Sequence, residues 1–174
     1  MQTQTNNNES IPEKGLFIKM VIDAWETYNK RLDKLLDSLP PEQLWADTAP
    51  GRNSGIYLAG HLLAVHDGML PLLGFGEKLY PHLENIFLTN PDKSGFEMPS
   101  PEELKKYRDA INAHLSTHIR QLAPEDWFTK HSAVSEEAFA KEPHRNKLNI
   151  VINRTNHLSY HLGQLAYLVQ KDSV

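Results

Sequence analysis

From Glu13 onward, apolar residues return every three or four positions, which is the spacing of helices buried along one side. Phe17, Met20, Val21, Trp25, Tyr28, Leu32, Leu35 and Leu36 predict a first helix over roughly residues 13–38. Leu39-Pro40-Pro41 ends it, because proline has no N–H to donate and its ring clashes with the preceding turn. Ala49-Pro50-Gly51 marks a turn, and Asn53 or Ser54 can cap a second helix. The apolar positions of that helix are Leu58, Leu62, Val65, Met69 and Leu72, with a ragged end around Gly68, Pro71, Gly74 and Gly76. A long connection over 74–99 follows, with room for one short helical piece around 82–87. Ser100-Pro101-Glu102-Glu103 opens the third helix with a capping box and proline at its first position. Leu104, Tyr107, Ile111, Leu115, Ile119 and Leu122 give it a stripe. A second long connection spans 124–147. The fourth helix then covers about 148–171, with Val151, Leu158, Leu162, Leu165 and Val169 on one face. No segment alternates with the period of two that a half-buried strand needs.

This pattern predicts an all-α fold, a four-helix bundle with two long connections. The chain has 174 residues, 40% of them hydrophobic, enough for one domain that buries about 70% of its unfolded surface. The expected organisation is a disordered polar tail over 1–12 and a single helical domain over 13–174.

Charge and cysteine content narrow the function. A net charge of −4 is wrong for a protein that neutralises phosphates, so nucleic acid and anionic membrane surfaces are excluded as expected partners. The chain has no cysteine, which removes disulfides, cysteine-ligated metals and a cysteine nucleophile. The segment MQTQTNNNES lacks the basic and apolar regions of a secretory leader. The longest apolar stretch, Tyr57–Val65, is interrupted by His61 and is short of a membrane span. The expected location is the cytoplasm.

Histidine is the unusual residue, with nine copies. His157 and His161 lie four apart on the fourth helix and point about 40° from one another, so both imidazoles can reach one ion. The intervening residues supply no glutamate, unlike a metalloprotease helix. Ile150 and Leu168 fall between them in projection, which sets the pair at the edge of the buried arc. On the second helix, His61 borders Leu58, Val65 and Leu72, whereas His66 points about 140° away from it. A rival pair, His114 and His118, sits at the same spacing on the third helix, and periodicity alone does not choose between the pairs. His82, His131 and His144 fall in connections and are expected to be solvated.

Two segments settle the choice by resemblance. Gly51-Arg52-Asn53-Ser54-Gly55-Ile56-Tyr57-Leu58-Ala59-Gly60-His61-Leu62 resembles the region of DinB/YfiT-like proteins that carries their first histidine. Asn156-His157-Leu158-Ser159-Tyr160-His161-Leu162-Gly163-Gln164-Leu165 resembles their closing HxxxHxGQL pattern. The resemblance implies a helical bundle that holds a divalent metal ion, zinc or nickel, on His61, His157 and His161. It leaves His114 and His118 as structural or surface residues. The family includes thiol-dependent transferases and isomerases.

Three imidazoles leave an open coordination position where water or a substrate thiol is activated. The implied function is therefore a metal-dependent transferase, thiol-dependent in one form, or a hydrolase acting on a small molecule. The alternative is a non-catalytic metal-binding stress protein or helical scaffold. With no cysteine in the chain, any thiol must come from a low-molecular-weight cosubstrate. A homodimer is a plausible assembly for a small bundle. Tyr57, Gln164 and Arg154 are candidates to support the site. Arg154, about 60° round from His157 toward the apolar centre, either anchors an anionic substrate or marks a turn where the helix is still peripheral.

Overall fold

The computed structural model describes residues 13–169, and the expected tail over 1–12 lies outside them. The chain is all-helical. Its helices are α1 (Glu13–Ser38), α2 (Gly55–Asp67), α3 (Met69–Leu73), α4 (Pro101–Gln121), α5 (Glu136–Lys141) and α6 (Lys147–Leu165). No strand occurs among the described residues; Asp47 with Ser54 and Lys130 with Asn146 form isolated bridges.

The caps explain the boundaries. The Ser54 side chain accepts from the Tyr57 amide at the start of α2. Ser100 and Glu103 make the reciprocal pair of a capping box at α4. Asn146 accepts from the Asn149 amide at α6. Each satisfies a backbone N–H that has no partner inside the helix. Gly74 ends α3 at φ +77°, a left-handed conformation that glycine adopts without steric cost.

Three expectations need correction. The second helix is not amphipathic. It is buried on nearly every side, with Ile56, Leu58, Leu62, Leu63, Met69, Leu70 and Leu73 inaccessible or nearly so. It packs against α4 and α6 and against the 74–99 connection, so no face is left for solvent. Together α2 and α3, over Gly55–Leu73, make a stretch of 19 residues at mean hydropathy 1.3, which passes a membrane-span test by length and composition. Its apolar character belongs to a core helix, because 72% of it is buried inside the fold.

The first helix, in contrast, buries less than its pattern predicts. Trp25 and Leu32 are in the core, but Phe17 and Met20 are 48% and 61% exposed. The fourth predicted helix, α6, is regular only to Leu165 and tightens into a 3-10 turn over Ala166–Leu168. Val169 is exposed, and positions 170–171 lie outside the described residues.

The connections hold more structure than their composition suggests. A π turn covers Asn85–Thr89, close to the predicted short piece, and Phe87 within it is fully buried. The second connection carries a 3-10 turn over Asp126–Phe128 and the short helix α5, capped by Ser135. Asp67 fixes the first connection by accepting from the amides of Leu79 and Tyr80, each at 2.8 Å.

Candidate metal centre

The fold brings together His61 from α2 and His157 and His161 from α6, although His61 and His157 are 96 residues apart in sequence. The Nε2 atom of His157 is 3.1 Å from Nε2 of His61 and 3.1 Å from Nε2 of His161. One ring nitrogen of each residue lies within 4.8 Å of the others, and all three side chains are half-buried.

Two of the rings have their tautomers set by the scaffold. Nδ1–H of His61 donates to the Phe87 carbonyl oxygen at 2.9 Å. Nδ1–H of His161 donates to Oε1 of Gln164 at 2.6 Å. A neutral imidazole with its proton on Nδ1 has its lone pair on Nε2. Both lone pairs therefore point at the common centre. Nδ1 of His157 is buried with no partner, so the only polar contacts of that ring are the two at its Nε2, with His61 and His161. Burial, first, and then the neighbouring His161, His61 and Arg154 push His157 down to about 4. Burial also lowers His161, against an opposing contribution from Gln164. Both rings are thus held neutral at physiological pH, the state in which a histidine ligates a metal.

Distances give a second check on fit. Two zinc–nitrogen bonds of about 2.0–2.1 Å, opened by between about 90° and 110°, set their nitrogens roughly 2.9–3.4 Å apart. The two observed separations of 3.1 Å fall in that interval. The residues fit a divalent metal ion, and imidazole donors by themselves do not select which one.

The site is built by the 74–99 connection as much as by the helices. Tyr57 donates its hydroxyl to the carbonyl of Asn90 at 2.7 Å and packs against the Phe87 ring. Asp92 accepts from the Ser54 amide at 2.7 Å. Gly60, one residue before His61, leaves the space that the Phe87 ring fills; a methyl group there would land on the ring. The π turn thus sits on α2 with its Phe87 carbonyl aimed at His61, and single π turns often mark functional sites. The sequence did not disclose Phe87 or Asp92. The one available signal was Gly60, a glycine inside an apolar helix next to a candidate ligand, which indicates close approach of another segment.

The other histidines fall elsewhere. His114 and His118 stack face to face, with ring centroids 4.4 Å apart at an interplanar angle of 22°, and His118 also stacks on Phe75. His114 reaches the Phe75 carbonyl and His118 the carbonyl of His114, so their nitrogens diverge instead of meeting. His66 is buried against Trp25, and burial is the main reason it is pushed down to about 3. His82 and His144 are exposed as expected. His131 is a correction: it is half-buried, with its Nδ1 enclosed and unpartnered. Arg154 is half-buried, with its Nε enclosed within the protein.

Comparison with known proteins agrees with this architecture. One solved structure, described as that of the conserved protein of locus from Enterococcus faecalis, matches with a TM-score of 0.59. The match has 17% identity and covers 86% of this chain and 93% of that one, a likeness of fold. No curated protein matches. The sequence model of the DinB superfamily matches residues 24–165, the span that contains all three converging histidines. The chain belongs to the DinB superfamily.

Proposed function

We propose that this protein is a divalent-metal-dependent enzyme acting on a small molecule, either a transferase that uses a low-molecular-weight thiol or a hydrolase. We further read its long helices α1, α2, α4 and α6 as the four-helix bundle of the superfamily. His61, His157 and His161 would hold the ion. The observation that carries the reading is the convergence of three Nε2 atoms, two of them with lone pairs aimed inward by the Phe87 carbonyl and by Gln164.

A divalent ion held there would supply Lewis acidity to water or a thiol. The chain's own contribution is orientation and exclusion. Phe87 and Gln164 hold two rings in the ligating tautomer, and burial holds His157 and His161 neutral. A cytoplasmic setting suits a protein without cysteines that handles thiols.

The second reading, a non-catalytic metal-binding protein, rests on the donor group itself. Among the described residues, no aspartate or glutamate joins the three histidines to serve as a general base. The test separates the two readings. Metal content by mass spectrometry and melting temperature are measured for wild type and His157→Ala after exposure to zinc and nickel. Wild type is expected to bind one ion per chain and melt higher, because the ion binds only the native arrangement. His157→Ala is expected to lose both effects. In the cobalt-substituted protein, addition of 2-mercaptoethanol should generate a thiolate-to-metal charge-transfer band if a coordination position is open. An ion bound without any response to the thiol would favour the non-catalytic reading, and no bound ion would overturn both.

A further inference from the structure

Arg154 is a half-buried cation with an enclosed Nε, and the described residues give it no partner. It lies on α6 one turn before His157. On a helical projection Arg154, His157 and His161 fall within about 60° of one another, on a single face. Its Nε is buried and has no hydrogen-bond acceptor, as is also true of Arg108 Nε, so the difference between the two lies in ion pairing. No carboxylate among the described residues lies within ion-pair distance of it. Arg108, the other arginine enclosed by the fold, shows what the protein does when the role is structural. Its Nε is 3.2 Å from Asp33 and its Nη2 is 3.0 Å from Asp37, and this pairing ties α4 to α1.

A guanidinium does not give up its proton under these conditions, so Arg154 cannot escape its cost by neutralising. Burial is the only influence acting on it, and nothing acidic offsets that. Arg154 therefore offers an unshared positive charge with planar, forked donors on the helix face that carries His157 and His161.

We propose that Arg154 binds the carboxylate of a small molecule whose other end reaches the three-histidine centre. A carboxylate matches the fork of a guanidinium in two parallel hydrogen bonds, and its single negative charge matches the single positive one. One helical turn is about 5.4 Å, which a chain of two or three carbons spans. A thiol carboxylic acid has this shape. The proposal rests on the metal-centre reading only for where the far end of the ligand lies.

The probes are 3-mercaptopropionate and its uncharged counterpart 3-mercaptopropionamide, titrated calorimetrically into the zinc-loaded full chain. Wild type is expected to bind the acid about tenfold or more tightly than the amide, the scale of a charge-assisted hydrogen bond in an enclosed site. Arg154→Gln is expected to bind both alike with unchanged zinc content, and Arg154→Lys to keep part of the preference. A second arm uses the metal-free protein and reads melting temperature with propionate, propionamide or inorganic phosphate. Propionate alone should raise it, and only when Arg154 is present. Equal binding of acid and amide by a zinc-loaded wild type overturns the anchor and leaves the metal centre standing. Failure to bind zinc, with propionate still acting through Arg154, overturns the metal centre and leaves the anchor. Stronger stabilisation by phosphate than by propionate overturns the carboxylate assignment.

Discussion

At the scale of single residues, the site depends on a position that carries no functional group. Gly60 admits the Phe87 ring, and with it the carbonyl that holds His61. Gly60→Ala would ordinarily stabilise a helix by roughly 1 kcal/mol. Here it must displace a fully buried ring, and overpacking of that kind costs about 1–3 kcal/mol. The expected result is a lower midpoint in urea than wild type, together with weaker zinc binding, since the Phe87 carbonyl moves with its ring. A midpoint equal to or above that of wild type would show that the π turn yields freely. The spacing of His157 and His161 could be read from the sequence because it is a property of one helix, but His114 and His118 share it, and the resemblance, not periodicity, chose the pair and joined His61 to it. The partners that orient two of them divide along the same line. Gln164 lies three residues from His161 and was named as a candidate. Phe87 lies 26 residues from His61 and acts through its backbone, so no side-chain pattern could reveal it.

At the scale of elements, the long connection between α3 and α4 behaves as part of the site. Three links fasten it to the first turns of α2: Tyr57 to Asn90, Asp92 to Ser54, and His61 to Phe87. Burial raises Tyr57, with a further contribution from Asp92, so its phenol stays protonated and able to donate. Tyr57→Phe removes the donor and keeps the ring. The expected loss is about 0.5–1.5 kcal/mol of stability, concentrated in the connection. Amide hydrogen exchange should show faster exchange over 85–92 with little change in α4 or α6. Uniform acceleration across the chain would mean that the link supports the global fold instead. Helix starts were legible in the sequence because caps are local: Ser54 and Ser100 sit where their side chains predicted. Burial was less so. The period of α2 suggested one wet face, and only its central place between α4, α6 and the connection removed it. The exposed Phe17 and Met20 on α1 show the opposite failure, since periodicity identifies an apolar face but not whether anything covers it.

At the scale of the whole molecule, burying neutral histidines makes stability depend on pH. His66 is fully enclosed and pushed down to about 3, whereas an unfolded histidine titrates near 6.5. Between those values the unfolded chain binds a proton that the folded chain refuses. Stability therefore falls as pH drops from about 6.5 toward 3, and the effect vanishes above about 6.5. The metal-free protein is expected to melt at progressively lower temperature from pH 7 to pH 5. His66→Leu should make that decline shallower, whatever it does to the melting temperature at pH 7. An unchanged slope in the variant would assign the pH dependence to other groups. Zinc should steepen the loss in acid, because protons compete with the ion for the same Nε2 lone pairs.

The hydrogen bond from His61 goes to a main-chain oxygen, and that has a consequence for how this protein can vary over descent. Every amino acid carries a carbonyl, so no substitution at position 87 can delete the acceptor outright. Change can reach it only indirectly, through the shape of the residue that fills the hollow over Gly60. Apart from positions whose side chains fasten the stretch, such as Asp92, the codons of 85–92 are free to drift so long as the turn keeps its path. The support on the other side, from Gln164 to His161, has no such protection, because one substitution abolishes it. Two contacts with the same electrostatic role thus have different mutational exposure, and lineages that lose the site would be expected to lose it first from the α6 side.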